Sequence, residues 1–370
     1  MHKACKIVAK VLITVGFLGM ASCETELDVI NQTSDLPVVW GLIDPADSVY
    51  NIRIQKSFCG KGNAADMAKI YDSIYFDSLN VFMELRYAPD KNMVGIYAGQ
   101  DWYGEWDMAG DLIHRVRLNR TQVNSKETGF FNYDPYRIYQ THSDEFRIRG
   151  KVYLTDPGYW TVPQGQGYFV RVTIENPKTG QTTVATTPFV DMPNILIPRK
   201  AFTLNLYDRE NSKIIWQDHG WFYDSQIQFY YIEFTDHEEI KSVGWRITGI
   251  NRTRVEIPVM EFYSYTATPF GENLLGHVGA EIKDSPDVIW RKFSHIDYSI
   301  VAAPEFVKEY LDSYFISADH AGQPTTNVTN GNGLFALIAR NGRSGFHLDF
   351  NSRDSLSRGR FTKHLKFVKW

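Results

Sequence analysis

The sequence predicts a mainly β protein, with an N-terminal immunoglobulin-like β-sandwich over residues 36–192 and a second β-rich domain over residues 193–370. Short segments repeatedly alternate apolar and polar side chains, which is the period-two pattern of strands with one buried face. Turn residues separate these segments. Aromatic residues are abundant, with 9 Trp, 21 Tyr and 23 Phe, and such side chains favour strands.

The N-terminal half carries the clearest strand signals. Val38–Ile43 and Val49–Phe58 flank the turn Asp44–Asp47, in which proline presets the backbone, so the three segments predict a β-hairpin. Tyr168–Glu175 and Thr182–Thr187 flank an Asn-Pro-Lys-Thr-Gly turn and predict a second pair of strands. Several such pairs in sequence are typical of a sandwich of two packed sheets.

The second domain is predicted to begin near Asp191–Pro198. Phe229–Phe234 and Leu334–Ala339 are among its strand candidates. A short helix is expected over residues 304–315, because Pro304 suits a first helical turn and apolar side chains recur at helical spacing after it.

Residues 1–22 predict a signal peptide for export. Three lysines precede the apolar stretch Val11–Met20, which as a helix would be about 15 Å long, roughly half the thickness of a bilayer core. The stretch Met20–Cys23 resembles the bacterial lipobox, which implies cleavage before Cys23 and lipidation of Cys23 by a diacylglyceryl thioether and an acyl amide such as palmitate. The alternative is an ordinary signal peptide followed by an incidental cysteine.

Residues 23–35 are polar and predict a lipidated tether. The acidic run Glu24–Asp28 resembles the surface-export signal of Bacteroidetes lipoproteins. It implies anchoring in the outer membrane by lipid, with the protein facing the cell exterior. Several acyl chains would give durable attachment, whereas one chain alone binds a membrane only marginally.

Composition narrows the function classes. The formal net charge is −4 and becomes more negative once the three lysines of the signal peptide are removed, which argues against nucleic acid as a partner. Cys59 would be the only cysteine left beside Cys23, so neither an internal disulfide nor a cysteine-rich zinc site is expected. The sequence contains no His-Glu-x-x-His, Gly-x-Ser-x-Gly or P-loop motif, so we predict a non-enzymatic protein without cofactor, metal or catalytic residues.

Two aromatic clusters are candidates for contact with a ligand or partner. Trp102, Tyr103 and Trp106 lie within five residues of one another, and Tyr159 and Trp160 follow a Pro-Gly turn. Such side chains either fold back onto the core or form a stacking platform for a glycan or a peptide ligand. The residues alone leave both alternatives open.

Three segments carry a family resemblance: VVWGLIDPADSVYNIRIQKSF at Val38–Phe58, GKGNAADMAKIYDSIYF at Gly60–Phe76 and NVTNGNGLF at Asn327–Phe335. In these segments the chain resembles a family of Bacteroidetes surface lipoproteins that is defined by a domain of unknown function. Members of this family often accompany TonB-dependent receptors. The resemblance implies a TonB-dependent β-barrel receptor as partner. The expected function is thus an accessory or ligand-binding partner of an outer-membrane transporter. Alternatives are a surface glycan-binding protein or a subunit of a surface fibre or assembly.

Overall fold

A computed structural model describes residues 36–57, 64–87, 110–123, 136–146, 168–198, 203–208, 213–218, 221–247, 250–257, 260–267, 271–316 and 326–369. Four sheets dominate these residues, which confirms the predicted mainly β class. The strands are β1 Pro37–Ile43, β2 Val49–Lys56, β3 Asn80–Tyr87, β4 Asp111–Arg117, β5 Asn119–Val123, β6 Tyr136–His142, β7 Tyr168–Glu175, β8 Thr182–Pro188, β9 Ile195–Ile197, β10 Thr203–Leu204, β11 Ile214–Gln217, β12 Phe222–Phe234, β13 Glu238–Arg246, β14 Asn251–Ile257, β15 Met260–Ala267, β16 Trp290–Ala303, β17 Val328–Thr329, β18 Asn332–Leu337 and β19 Ala339–Leu348. The α-helices are α1 Ala64–Met67, α2 Tyr71–Ile74, α3 Gly271–Glu281, α4 Glu305–Ile316 and α5 Phe350–Arg358.

The N-terminal region is a sandwich of two five-stranded sheets, as the sequence predicts. One sheet has the order β18-β1-β2-β6-β5 and the other β17-β8-β7-β3-β4. Alternate side chains of each sheet meet in one core, which includes Val39, Ile52, Met83 and Val172, each with no exposed surface. Burial of this apolar surface supplies the main stabilisation of the sandwich.

The strands of the sandwich do not all come from the N-terminal side of the predicted domain boundary at residue 192. β18 pairs in parallel with β1, and β17 pairs antiparallel with β8, so residues 328–337 complete both N-terminal sheets. Gly333 permits this insertion, because it has a φ of +107° and a Cβ there would lie 2.0 Å from the Val39 carbonyl oxygen. Non-local pairing of this kind follows from no local sequence pattern.

The C-terminal region contains a five-stranded sheet of order β10-β19-β16-β12-β13 and a four-stranded sheet of order β14-β15-β11-β9. A second core joins both sheets to helices α3 and α5, and its largest fully buried side chain is Trp216. Helix α5 begins after Asp349, whose carboxylate accepts a hydrogen bond from the Ser352 amide at 2.9 Å and so caps the helix.

Helix α4, which the sequence predicts at residues 304–315, packs where the two regions meet. β18 and β19 are separated by Ile338 alone, so the chain passes directly from the sandwich to the C-terminal sheet. β18 directs Phe335 into the sandwich core and Leu334 towards α4, where Tyr310 contacts Trp40 edge to face at 5.7 Å between ring centroids.

Candidate functional site

The residues singled out from the sequence lie outside the described part of the chain. This holds for the lipidation candidate Cys23 and for both aromatic clusters, Trp102, Tyr103 and Trp106 together with Tyr159 and Trp160. Within the described residues, the candidate site lies on the C-terminal five-stranded sheet.

The two faces of the C-terminal five-stranded sheet differ in what covers them. Along β12 the odd-numbered side chains from Tyr223 to Glu233 are buried, and the even-numbered ones are half-buried or exposed. We call the side with the even-numbered residues the outer face. Helix α4 covers this face at Phe222, whereas from Asp224 to Phe234 it remains accessible.

Two stacked ring pairs stand on the accessible part of the outer face. Tyr230 and His295 lie on neighbouring strands with centroids 4.5 Å apart and planes within 12° of each other. Phe234 and Trp290 repeat this arrangement at 5.1 Å and 10°. Cross-strand contact fixes the rings, so they form a rigid aromatic surface at little further entropic cost on binding.

An aliphatic side chain on the edge strand extends this surface. Ile240 lies on β13 opposite Ile232, on the same face as the ring pairs, and is 71% exposed. Exposed large apolar side chains are common singly. Here Ile240 pairs across the strands with Ile232, and Phe234 with its stacked partner Trp290 lies two residues further along β12. The exposed side chains of Glu238 and Lys292 share this face. Apolar side chains grouped in this way between charged ones have the character of a binding surface.

Polar groups occupy the other half of the outer face. Asp224 accepts hydrogen bonds from Gln226 Nε2 at 2.8 Å and from Arg246 Nε at 2.5 Å. Gln228 Nε2 donates to Ser242 Oγ at 2.7 Å. These bonds hold planar amide, carboxylate and guanidinium groups beside the aromatic pairs, with hydrogen-bonding capacity remaining for a ligand.

The inner face holds a buried ion-pair network at the same end of the sheet. Arg291, 1% exposed, donates from Nε and Nη2 to Glu233 Oε2 at 2.8 and 2.7 Å. It also donates to the Leu365 and Lys283 carbonyls at 2.8 and 3.1 Å. Lys241 donates to the second Glu233 oxygen at 2.5 Å. The guanidinium therefore ties β12 and β16 to two chain segments beyond the sheet.

This network forms the floor of an open cleft of about 520 Å³. Its wall consists of β13 at Lys241 and Ser242 and of the chain after helix α3 at Lys283 and Ser285. The volume would suit a small ligand. However, the floor charges are paired with one another, so the network is better suited to holding the fold than to chemistry on a bound molecule.

Two charged groups in the cleft have shifted pKa values. Burial opposes the charged form of Glu233, but hydrogen bonds from Lys241 and Arg291 outweigh it, so the pKa of Glu233 lies below its ordinary value. The hydrogen bond to Glu233 raises the pKa of Lys241 in turn. Both groups are therefore charged at neutral pH, and neither is poised to exchange a proton there.

The described residues contain neither a cluster of metal ligands nor a membrane-spanning helix. Among them no three His, Cys, Asp or Glu side chains are grouped closely enough to hold a metal ion. Within the same residues no helix has the length and apolar character needed to cross a bilayer.

Comparison with known proteins gave no match among family models, curated proteins or solved structures. The outer-face residues, among them Tyr230 and Trp290, were not predicted as site residues from the sequence. The sequence does carry one signal of this surface. Between Phe229 and Phe234, β12 has large apolar side chains at both odd and even positions, whereas a strand with one solvent-facing side alternates apolar and polar residues.

Proposed function

We propose that this protein is a non-enzymatic lipoprotein of the cell envelope that acts as an accessory or ligand-binding partner of an outer-membrane transporter. The lipobox-like stretch ending at Cys23 supports the anchor and the envelope location. The accessible outer face of the C-terminal sheet supports binding. Its contacts are most naturally made with another protein, because interfaces are enriched in aromatic side chains at their buried centres.

The single observation that carries the binding role is the exposed side chain of Ile240 opposite Ile232, with the Phe234–Trp290 pair on the same face. Leaving Ile240 in water forgoes roughly 1.5–3 kcal/mol of burial free energy, which a partner would recover. The rings are already fixed against each other, so binding would require little further ordering.

Detergent extraction of the tagged full chain from its native membrane tests the proposal. A β-barrel receptor of the TonB-dependent class should co-purify with the wild-type protein and be reduced at least about tenfold with Trp290→Ser. Leu42→Ser is the matched control, because Leu42 is 54% exposed on β1 of the N-terminal sandwich. Purification of the wild-type protein without such a receptor would refute the transporter partnership.

A glycan ligand is the second candidate, favoured by the position of planar polar groups beside the ring pairs. Sugar rings stack their C–H faces on aromatic side chains while their hydroxyls bond to amides and carboxylates, and Gln226 and Asp224 lie on the same face as Tyr230.

Affinity electrophoresis in polysaccharide gels tests this second candidate. Retarded migration that is lost with Trp290→Ser would support the outer face as the glycan-binding site. Loss with Trp102→Ala, Trp106→Ala or Trp160→Ala would instead assign glycan binding to the clusters predicted from the sequence. Unretarded migration of the wild-type protein on all gels would refute glycan binding.

A further inference from the structure

β13 forms one edge of the C-terminal sheet. Among the described strands its neighbour is β12, and the nine residues Glu238–Arg246 pair with β12 in uninterrupted antiparallel register. An edge strand of this length presents a row of backbone donors and acceptors to whatever lies beside it.

Two hydrogen bonds establish which residues direct their backbone outwards. Ile247 donates its amide to the Ser225 carbonyl of β12 at 2.8 Å, so odd-numbered residues face β12. The Gly244 carbonyl accepts instead from His277 Nε2 of helix α3 at 2.8 Å, so even-numbered residues face away. The amides and carbonyls of Glu238, Ile240 and Ser242 therefore point off the edge of the sheet.

Helix α3 limits how much of this edge is accessible. His277 covers Gly244, and its ring lies 6.4 Å from that of Trp245. On the N-terminal side of Gly244 the edge runs past the open cleft. The stretch from Glu238 to Ser242 can therefore accept another strand.

The sequence of this stretch is self-complementary under a twofold axis. When two copies pair antiparallel with Ile240 opposite Ile240, Glu239 of each copy lies opposite Lys241 of the other. Glu239 and Lys241 share the inner face, since Lys241 contacts Glu233 there. Edge charges usually keep strands apart. Within one chain Lys241 contacts Glu239 at 3.2 Å between Nζ and Oε2. Across the dyad each of the two would also meet the opposite charge of its counterpart.

The outer face is complementary to itself in the same register. Ile240 would pack against Ile240 of the second copy, and Ile232 lies beside it on β12, so one row of four isoleucines would cross the dyad. The pairing would form about six backbone hydrogen bonds. It would also cover the side chain of Ile240, which is 71% exposed in the single chain.

We propose that two copies of this chain associate through Glu238–Ser242 of β13 as an antiparallel pair centred on Ile240, which joins the two C-terminal sheets into one. The proposal does not rest on the proposed function, although the pairing uses Ile240 of the same face. The shared ladder is short, so the dimer forms at micromolar concentration. In it the two outer faces lie side by side and can bind a repeating or dimeric ligand with gain from avidity.

Sedimentation velocity of the full chain in mild detergent tests the pairing through charge reversal. Glu239→Lys places lysines opposite each other across the dyad, and Lys241→Glu does the same with glutamates. Each variant alone should dimerise at least about tenfold more weakly than the wild-type protein. An equimolar mixture should dimerise again, because every cross-strand pair in the mixed dimer joins a lysine to a glutamate.

Rescue in the mixture shows that both variants are folded. Lys308→Glu and Asp312→Lys reverse the exposed pair on helix α4, which has a 2.7 Å Nζ–Oδ2 distance, and serve as controls that should leave dimerisation unchanged. If the wild-type protein stays monomeric up to about 100 μM, well above the expected micromolar range, the proposal is overturned. The edge strand would then be available for pairing with a strand of another protein. Dimerisation that neither reversal weakens, or that mixing fails to restore, would overturn it as well.

Discussion

At one end of the C-terminal five-stranded sheet, each face carries some side chains that are more usual on the opposite face. At the end formed by β12, β13 and β16, the inner face buries Arg291 with Glu233, while on the outer face Ile240 is exposed and two aromatic pairs are half-buried. Both faces arise from the same strands, in which successive residues point to opposite sides. The difference shows that charge can hold a fold together while apolar side chains serve contact with another molecule.

The largest effect is expected from removing the buried cation. Arg291→Met removes both nitrogens that contact Glu233 Oε2 and the donors to the Leu365 and Lys283 carbonyls. We expect a loss of about 3–5 kcal/mol in the free energy of unfolding, measured by urea denaturation. Lys292→Met, on the exposed neighbour, should change it by less than about 0.5 kcal/mol. Equal effects of the two substitutions would show that the network is not structural.

Acid should weaken the same network. The depressed pKa of Glu233 means that its charge stabilises the folded state above the ordinary value of 4.5, and that this contribution is lost as the pH falls below it. The melting temperature of the wild-type protein should therefore fall more steeply below pH 4.5 than that of Glu233→Gln. Parallel melting curves over this range would assign the acid sensitivity to other carboxylates.

The smallest effect on stability is expected on the outer face. Ile240→Ser should alter the free energy of unfolding by less than about 0.5 kcal/mol, because the side chain is largely in water. Urea denaturation at submicromolar protein concentration measures this for the monomer. A loss above about 2 kcal/mol, which is typical of a core position, would show that Ile240 packs within its own chain.

The sequence predicts much of the local structure but not how the strands combine. The hairpin at Val38–Phe58 and helix α4 follow from alternation, turn residues and helical spacing. The pairing of β18 with β1 does not, because it joins residues about 300 positions apart and depends on the packing of Gly333 against Val39.

The candidate site was harder to anticipate than the fold. Trp290 and Phe234 are distant in sequence, and their stacking depends on the register of β16 against β12, which is shifted by an irregularity at Tyr230 and Tyr231. The site residues that the sequence predicts, such as Trp102 and Trp160, belong to local clusters of aromatic side chains. In a surface assembled from three strands, the apolar run Phe229–Phe234 marks one strand but does not identify its partners on β13 and β16.

In-cell photo-crosslinking tests most directly that the outer face binds another protein chain. A benzoylphenylalanine replaces Ile240 in one strain and Leu42, an exposed apolar residue of the N-terminal sandwich, in another. We expect irradiation to give a discrete crosslinked product from the position of Ile240, either with a second copy or with a β-barrel receptor, and little or none from that of Leu42. No product from the Ile240 position, or equal yields from both positions, would contradict the assignment of the outer face as the binding surface.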